Sequence, residues 1–276
     1  MDALRDLAAR RDGGRIAPFQ WIVIETSGVA DPAPVLHAIM ADHELALRYR
    51  VAGVVTLVDA VNGLATLQHN TESMRQVAVA DTLALAKSDL LDRTGRRAEL
   101  ASLTASLRAL NPAAPIVDIA AGEFCAVDLI ALDFFDSAIL SSVDIPSATF
   151  HSASIGAYSL RLAEPVEAPA FSLFLDLLRA ALGPRLLRVK GLVALAEHPA
   201  EPLVIQGVQH IFHVPRRLKA WPDEARSTRI VLVVDGIDRA IVDRLWAALS
   251  SAPQVDGPDL AALAQSSLSA ARGLLA

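Results

Sequence analysis

Two short segments carry side chains whose types and spacing suit nucleotide chemistry. The first is Glu25-Thr26-Ser27-Gly28, which follows the apolar run Trp21-Ile22-Val23-Ile24. An acidic residue leaving a buried strand can hold a Mg²⁺ ion, directly or through water. A glycine three residues later lets a backbone N–H come close to a phosphate. The second is Ala86-Lys87-Ser88-Asp89, directly after Thr82-Leu83-Ala84-Leu85. A lysine there can lay its methylene stem over a flat base. An aspartate two residues on can accept from the N1–H and exocyclic amine of guanine, a donor pair that adenine lacks. Each segment alone also fits a plainer role: an ordinary strand-to-helix turn for the first, a surface lysine and a helix-capping aspartate for the second. Lys87 is one of only 3 lysines beside 22 arginines, which favours a specific use of lysine here.

The elements that must position these residues can be read from the hydrophobic pattern. Trp21–Ile24, Val51–Val58, Thr82–Leu85 and Pro115–Ile119 are short, nearly continuous apolar runs. Between them lie helical stretches: one from an Asp31-Pro32 start to about Arg48, one over Thr71–Ala80, and one over Arg96–Leu110 stopped by Asn111-Pro112. Asp59 is placed to cap the segment after the second strand. Such strands separated by helices form a parallel sheet covered on both faces, and open sheets of this kind place ligands past the carboxyl ends of their strands. Both chemical segments occupy that place.

From about Ser137 the pattern changes, and the polar, small residues 146–154 read as a linker. Ile155–Ala163, Leu186–Ala196, Leu203–Val214 and Arg229–Val234 are strand-like, with helices over Pro169–Leu182 and Asp238–Ser250. The expected organisation is a first α/β domain over 1–145, a linker over 146–154, an α+β domain over 155–252 and a tail over 253–276.

Composition removes several function classes. The 276 residues are 53% hydrophobic and 20% charged, enough apolar material for a substantial core. Mean hydropathy is +0.39, yet no run of about 18 apolar residues occurs, so no membrane partner is expected. The charged first twenty residues do not resemble a secretory signal, and a cytoplasmic location is expected. With a net charge of −6 and no basic stripe, no nucleic-acid partner is expected. A single Cys125 cannot form an internal disulfide or a multi-cysteine metal site, and no metal ligands are assigned. His43-Glu44-Leu45-Ala46-Leu47 misses the zinc H-E-x-x-H pattern because Leu47 stands at the second ligand position. His210 and His213, three apart in one expected strand, point to opposite faces. Thr26-Ser27-Gly28 lacks the glycine a nucleophile elbow needs before its serine.

Taken together, Trp21 to Pro32 resembles the E-T-x-G-x-A-D-P segment of CobW-type (cobalamin synthesis protein) P-loop GTPases, metallochaperone relatives of urease and hydrogenase accessory proteins. The resemblance continues through Val54–Val58 with Asp59, Glu72, Gln76 and Ala80-Asp81, and the guanine motif at 86–89. In the carboxyl half it runs through Arg188-Val189-Lys190-Gly191, Gln206-Gly207-Val208-Gln209 and toward Trp221. Three departures stand out. None of the three lysines follows a glycine, so the G-x-x-x-x-G-K-[ST] phosphate loop is absent, as is the family's C-x-C-C motif. Ala86 also replaces the usual Asn, Ser or Thr of the guanine motif.

The resemblance implies an incomplete P-loop GTPase parallel sheet, amino-terminally truncated, followed by a small α+β CobW carboxyl-terminal domain. It implies GTP with Mg²⁺ as cofactors, zinc or cobalt as cargo and a metalloprotein client. Glu25 is expected in the Mg²⁺ and switch region, Gly28 near the γ-phosphate, and Lys87 with Asp89 at guanine. Without the phosphate loop, negligible GTPase activity is expected. The alternative is a non-catalytic interaction module without nucleotide turnover. Trp21–Ile24 is expected to form an exposed edge that promotes self-association, with residues 1 to about 140 unstable and residues 150–252 folding alone.

Overall fold

The computed structural model describes residues 1–28, 30–122, 154–209 and 211–250. The first unit opens with helices α1 (Asp2–Asp12), α2 (Ala33–Ala41) and α3 (His43–Arg48). Strand β1 (Val55–Asp59) follows, then α4 (Gly63–His69), α5 (Thr71–Val79), β2 (Thr82–Ala86), α6 (Ser88–Arg93), α7 (Arg97–Leu110) and β3 (Ile116–Asp118). The three strands form a parallel sheet in the order β1-β2-β3. Thr82 to Leu85 are all buried, as a central parallel strand covered on both faces requires.

Local chemistry sets the helix boundaries. The stretch expected as one helix from Asp31 to Arg48 is broken at Asp42, whose extended backbone stops α2. Its carboxylate accepts from the Leu45 N–H (3.0 Å) and starts α3. Asn70 starts α5 in the same way, accepting from the Ser73 N–H (2.9 Å). Asn111 ends α7 as expected and does more: its buried Nδ2 donates to the carbonyls of Val77, Ala78 and Ala80 at 2.8, 3.2 and 2.9 Å. Those carbonyls belong to the end of α5, which has no further helical turn to receive them.

The second unit contains β4 (Ile155–Leu162), α8 (Ala168–Leu182), β5 (Leu186–Val193), β6 (Leu203–Val208), β7 (Ile211–Phe212), β8 (Arg216–Arg217), β9 (Thr228–Asp235) and α9 (Arg239–Ser250). Its antiparallel sheet runs β4-β9-β5-β6-β7, with β8 also on β6. One face is covered by α8 and α9 through Phe171, Phe174, Leu178 and Val242. The other face contributes Ile155, Leu187, Val208, Val231 and Val233 to the same core as Val77, Leu103 and Leu107 of α5 and α7. The two units therefore share a core, and the expectation of an independently folding second unit is revised on that ground.

Two expected strands differ. Trp21–Ile24 is irregular rather than a strand, with Val23 76% exposed, because among the described residues no neighbouring strand satisfies its backbone groups. The open sheet edge belongs instead to β1, which pairs only with β2 among the described residues and leaves Leu57 67% exposed. Leu203–Val214 is not one strand but begins with a tight hairpin, turning at Gln209 with φ 53°. That removes the premise that His210 and His213 lie on opposite faces of a single strand; His210 lies outside the described residues. The expected linker lies outside them apart from Ser154, and the expected tail and Cys125 lie wholly outside.

Candidate functional site

The carboxyl ends of the three parallel strands bring polar side chains together. Asp59 ends β1, Lys87 follows β2 and Asp118 ends β3. Lys87 adopts the left-handed region (φ 63°, ψ 22°) to turn the chain from β2 into α6, a conformation that costs a non-glycine residue about 1–2 kcal/mol. Its Nζ donates to Asp59 Oδ2 at 2.7 Å. Asp59 Oδ1 accepts from the N–H groups of Val61 (2.8 Å) and Asn62 (3.1 Å) and so caps the following segment as expected. Burial pushes the Asp59 carboxyl up. The Lys87 ammonium and the donors of Asn62 and Val61 outweigh that, so it rests below the ordinary carboxylate range. Ser88 Oγ donates to Asp118 Oδ1 at 2.6 Å and ties α6 to β3. Asp89 is exposed in the first turn of α6, where the helix dipole favours a carboxylate.

Glu25 is exposed, and Gly28 is engaged by another element. The carbonyls of Gly28 and Ala30 accept from Gln76 Nε2 of α5 at 3.2 and 2.8 Å. Asp31 Oδ1 accepts from the Ala33 N–H (2.9 Å) and starts α2. The Gln76 carbonyl in turn accepts from Thr56 Oγ1 (2.8 Å), near the start of β1. The loop is thus fastened to α5 rather than carried on a strand end. Among the described residues, no hydrogen bond or ion pair joins Glu25 or Gly28 to Lys87 or Asp89.

The two units meet through buried charge. Asp81, just before β2, pairs with Arg188 of β5 and lies 3.8 Å from Lys190 Nζ; the three side chains are only 3–4% exposed. Asp81 Oδ2 also accepts from the Val54 N–H (3.0 Å), so one carboxylate joins the segments leading into β1 and β2 to the antiparallel sheet. Nearby His213 is held neutral, its pKa pushed down to about 4 by burial first and then by the Arg188 charge.

The sequence reading missed the Lys87–Asp59 and Ser88–Asp118 pairs. Asp59 is legible as a cap, but its partner stands 28 residues away. Asp118 carries no local signal at all. Among the described residues, no group of three His, Cys, Asp or Glu side chains is placed to hold a metal ion.

The family model for the CobW/HypB/UreG nucleotide-binding domain matches residues 1–118, and that for the cobalamin synthesis protein cobW C-terminal domain matches residues 155–250. The chain belongs to the CobW family. Zinc chaperone YjiA of Escherichia coli is 29% identical over 239 residues, covering 84% of this chain and 71% of YjiA. Zinc chaperone CobW of Pseudomonas aeruginosa is 29% identical over 280 residues, covering 90% of this chain and 70% of that protein. The crystal structure of the Zn(II)-bound YjiA GTPase superposes with a TM-score of 0.71 at 26% identity, over 90% of this chain and 76% of the other. This CobW-family chain thus combines a parallel α/β sheet with a separate antiparallel sheet, as its sequence pattern implies.

Proposed function

We propose that this chain binds guanine nucleotide at the carboxyl end of β2 and serves in metal delivery to a metalloprotein client, with zinc or cobalt as cargo. The observation that carries the reading is the pairing of Lys87, fixed by a left-handed backbone, with Asp89 in the first turn of the next helix. Lys87 offers an alkyl stem and a cation to a base; Asp89 offers the two-oxygen acceptor that guanine's donor pair requires. The base end of a GTP molecule fits these residues. Its phosphate and Mg²⁺ end does not: the sequence has no glycine-lysine phosphate loop, and the Gly28 carbonyl is engaged by Gln76 of α5. GTP turnover by this chain is expected to be negligible, because positioning and charge stabilisation of the phosphates supply nearly all catalysis in such enzymes.

A non-catalytic interaction module is the second reading. It is favoured by the engagement of Lys87 Nζ with Asp59, which a bound base would have to share or displace. A fluorescent GTP analogue separates the two: micromolar binding supports nucleotide recognition, and no binding supports the interaction module. Asp89→Asn sharpens the test. The amide presents a donor where guanine also donates, so GTP binding should fall at least about tenfold while xanthosine triphosphate, with a C2 carbonyl, gains. Unchanged base preference in that variant would remove Asp89 from the site.

A further inference from the structure

We propose that Arg75 of α5 and Asp235 of β9 form a clamp through which the carboxyl-terminal unit positions the Glu25–Asp31 loop. Arg75 reaches both ways: Nη2 donates to Asp235 Oδ2 at 2.7 Å, while Nη1 lies 3.6 Å from Asp31 Oδ2. The adjacent Gln76 holds the same loop by its Gly28 and Ala30 carbonyls. One helical turn thus grips three loop residues and, through Arg75, the end of a strand in the other unit.

The parts behind the clamp are fixed. α5 is capped by Asn70 at its start and by Asn111 at its end, and it packs against β4 and β5. Asp235 is held at its own backbone by Arg185 Nε, which donates to its carbonyl (3.0 Å). The neighbouring Gly236 N–H donates to the Ser154 carbonyl (2.6 Å), tying the end of β9 to the residue before β4. Burial raises the Asp235 carboxyl, but hydrogen bonds from Arg75 and Ser154 more than reverse this, so it is ionised at neutral pH and presents a full charge to the arginine. Asp31, the third member, starts α2, which touches β6 and β7. A displacement of the loop away from α5 therefore changes the charge environment of Asp235, and movement at the end of β9 changes the hold on Asp31. By linkage, whatever draws the loop off α5 weakens the Arg75–Asp235 pair by the same free energy with which that pair resists the displacement.

The clamp stands on these contacts and does not depend on the nucleotide reading. Hydrogen exchange on the full chain tests it without nucleotide. The Ala30 and Ala33 amides report the loop, since they donate to Ser27 O and Asp31 Oδ1, while β2 amides report global opening. Asp235→Asn and Arg75→Gln should each speed exchange at Ala30 and Ala33 about fivefold, as loss of a partly buried ion pair permits. The β2 amides should keep their rates, and the double variant should be no faster than either single one. Unchanged exchange at Ala30 and Ala33 in Asp235→Asn overturns the clamp, as does equal acceleration throughout β2. A parallel titration with the fluorescent GTP analogue judges nucleotide binding separately: its failure would remove the nucleotide reading and leave the exchange result to decide the clamp.

Discussion

Removing the charge of Asp81 is the most demanding test of how the two units are joined. The carboxylate is 3% exposed and faces two cations, Arg188 and Lys190, that are themselves 4% and 3% exposed. Asp81→Asn keeps the shape and an oxygen for the Val54 N–H, yet leaves two buried positive charges facing a neutral amide. Breaking a buried pair on one side costs about 3–5 kcal/mol, because the surviving charge is desolvated without compensation. The exposed Lys87–Asp59 pair provides the internal scale: Lys87→Ala should cost under about 1 kcal/mol. Urea denaturation followed by tryptophan fluorescence measures both, since Trp246 packs in the core beneath α8 and Trp221 lies over the β5–β6 surface. A second variant separates charge burial from shape. Replacing Asp81, Arg188 and Lys190 together by leucine, methionine and methionine should recover part of the loss, as apolar replacements of buried charge clusters do, less the cost of the Val54 N–H left without its acceptor. If Asp81→Asn loses less than about 1 kcal/mol, the junction is wetter than its geometry indicates and the reasoning fails.

Further outcomes follow from other buried groups. His213 is neutral in the folded chain with its pKa lowered to about 4, so the unfolded chain binds more protons between about pH 6.5 and 4. Stability contributed by the neutral ring is therefore complete above about pH 6.5 and lost as pH falls through that window, up to about 3 kcal/mol, and His213→Gln should flatten the urea midpoint against pH there. Asn111→Ala should cost about 2–3 kcal/mol in chemical denaturation by leaving the carbonyls at the end of α5 buried without donors. Residues 154–250 expressed alone should be oligomeric by size-exclusion chromatography, because excision exposes Ile155, Leu187, Val208, Val231 and Val233 on one sheet face. A monodisperse monomer would show that this face finds other cover.

Much of the architecture is legible in the sequence because its signals are local. The apolar runs at 82–85 and 229–234 need no partner to be recognised, and Asn111-Pro112 announces the end of its helix. Trp21–Ile24 has the composition of a strand without being one, because a strand is defined by its neighbour and a hydrophobic run carries no information about whether a neighbour is present. The candidate base-contact residues, Lys87 and Asp89, are legible as a spacing of two. The loop at 25–28 is legible as a sequence, but its seat is not, since Gln76 reaches the Gly28 and Ala30 carbonyls across 48 and 46 positions of chain. Asp81 stands out only as part of a family pattern; its burial against β5 depends on a contact 107 residues distant.

The left-handed backbone at Lys87 bears on how this position can vary. Two requirements coincide there that are ordinarily met by different residues: a long cationic side chain and a turn that glycine or asparagine adopts most easily. Substitution by glycine would relax the turn and delete the cation, whereas arginine would keep a cation and retain the backbone penalty. A β-branched residue would meet neither requirement. Variation at this position is thus confined to exchanges that sacrifice one requirement at a time. Comparing Lys87→Gly with Lys87→Ala reads the two apart: their difference reports the conformational penalty, and what they share reports the lost side chain.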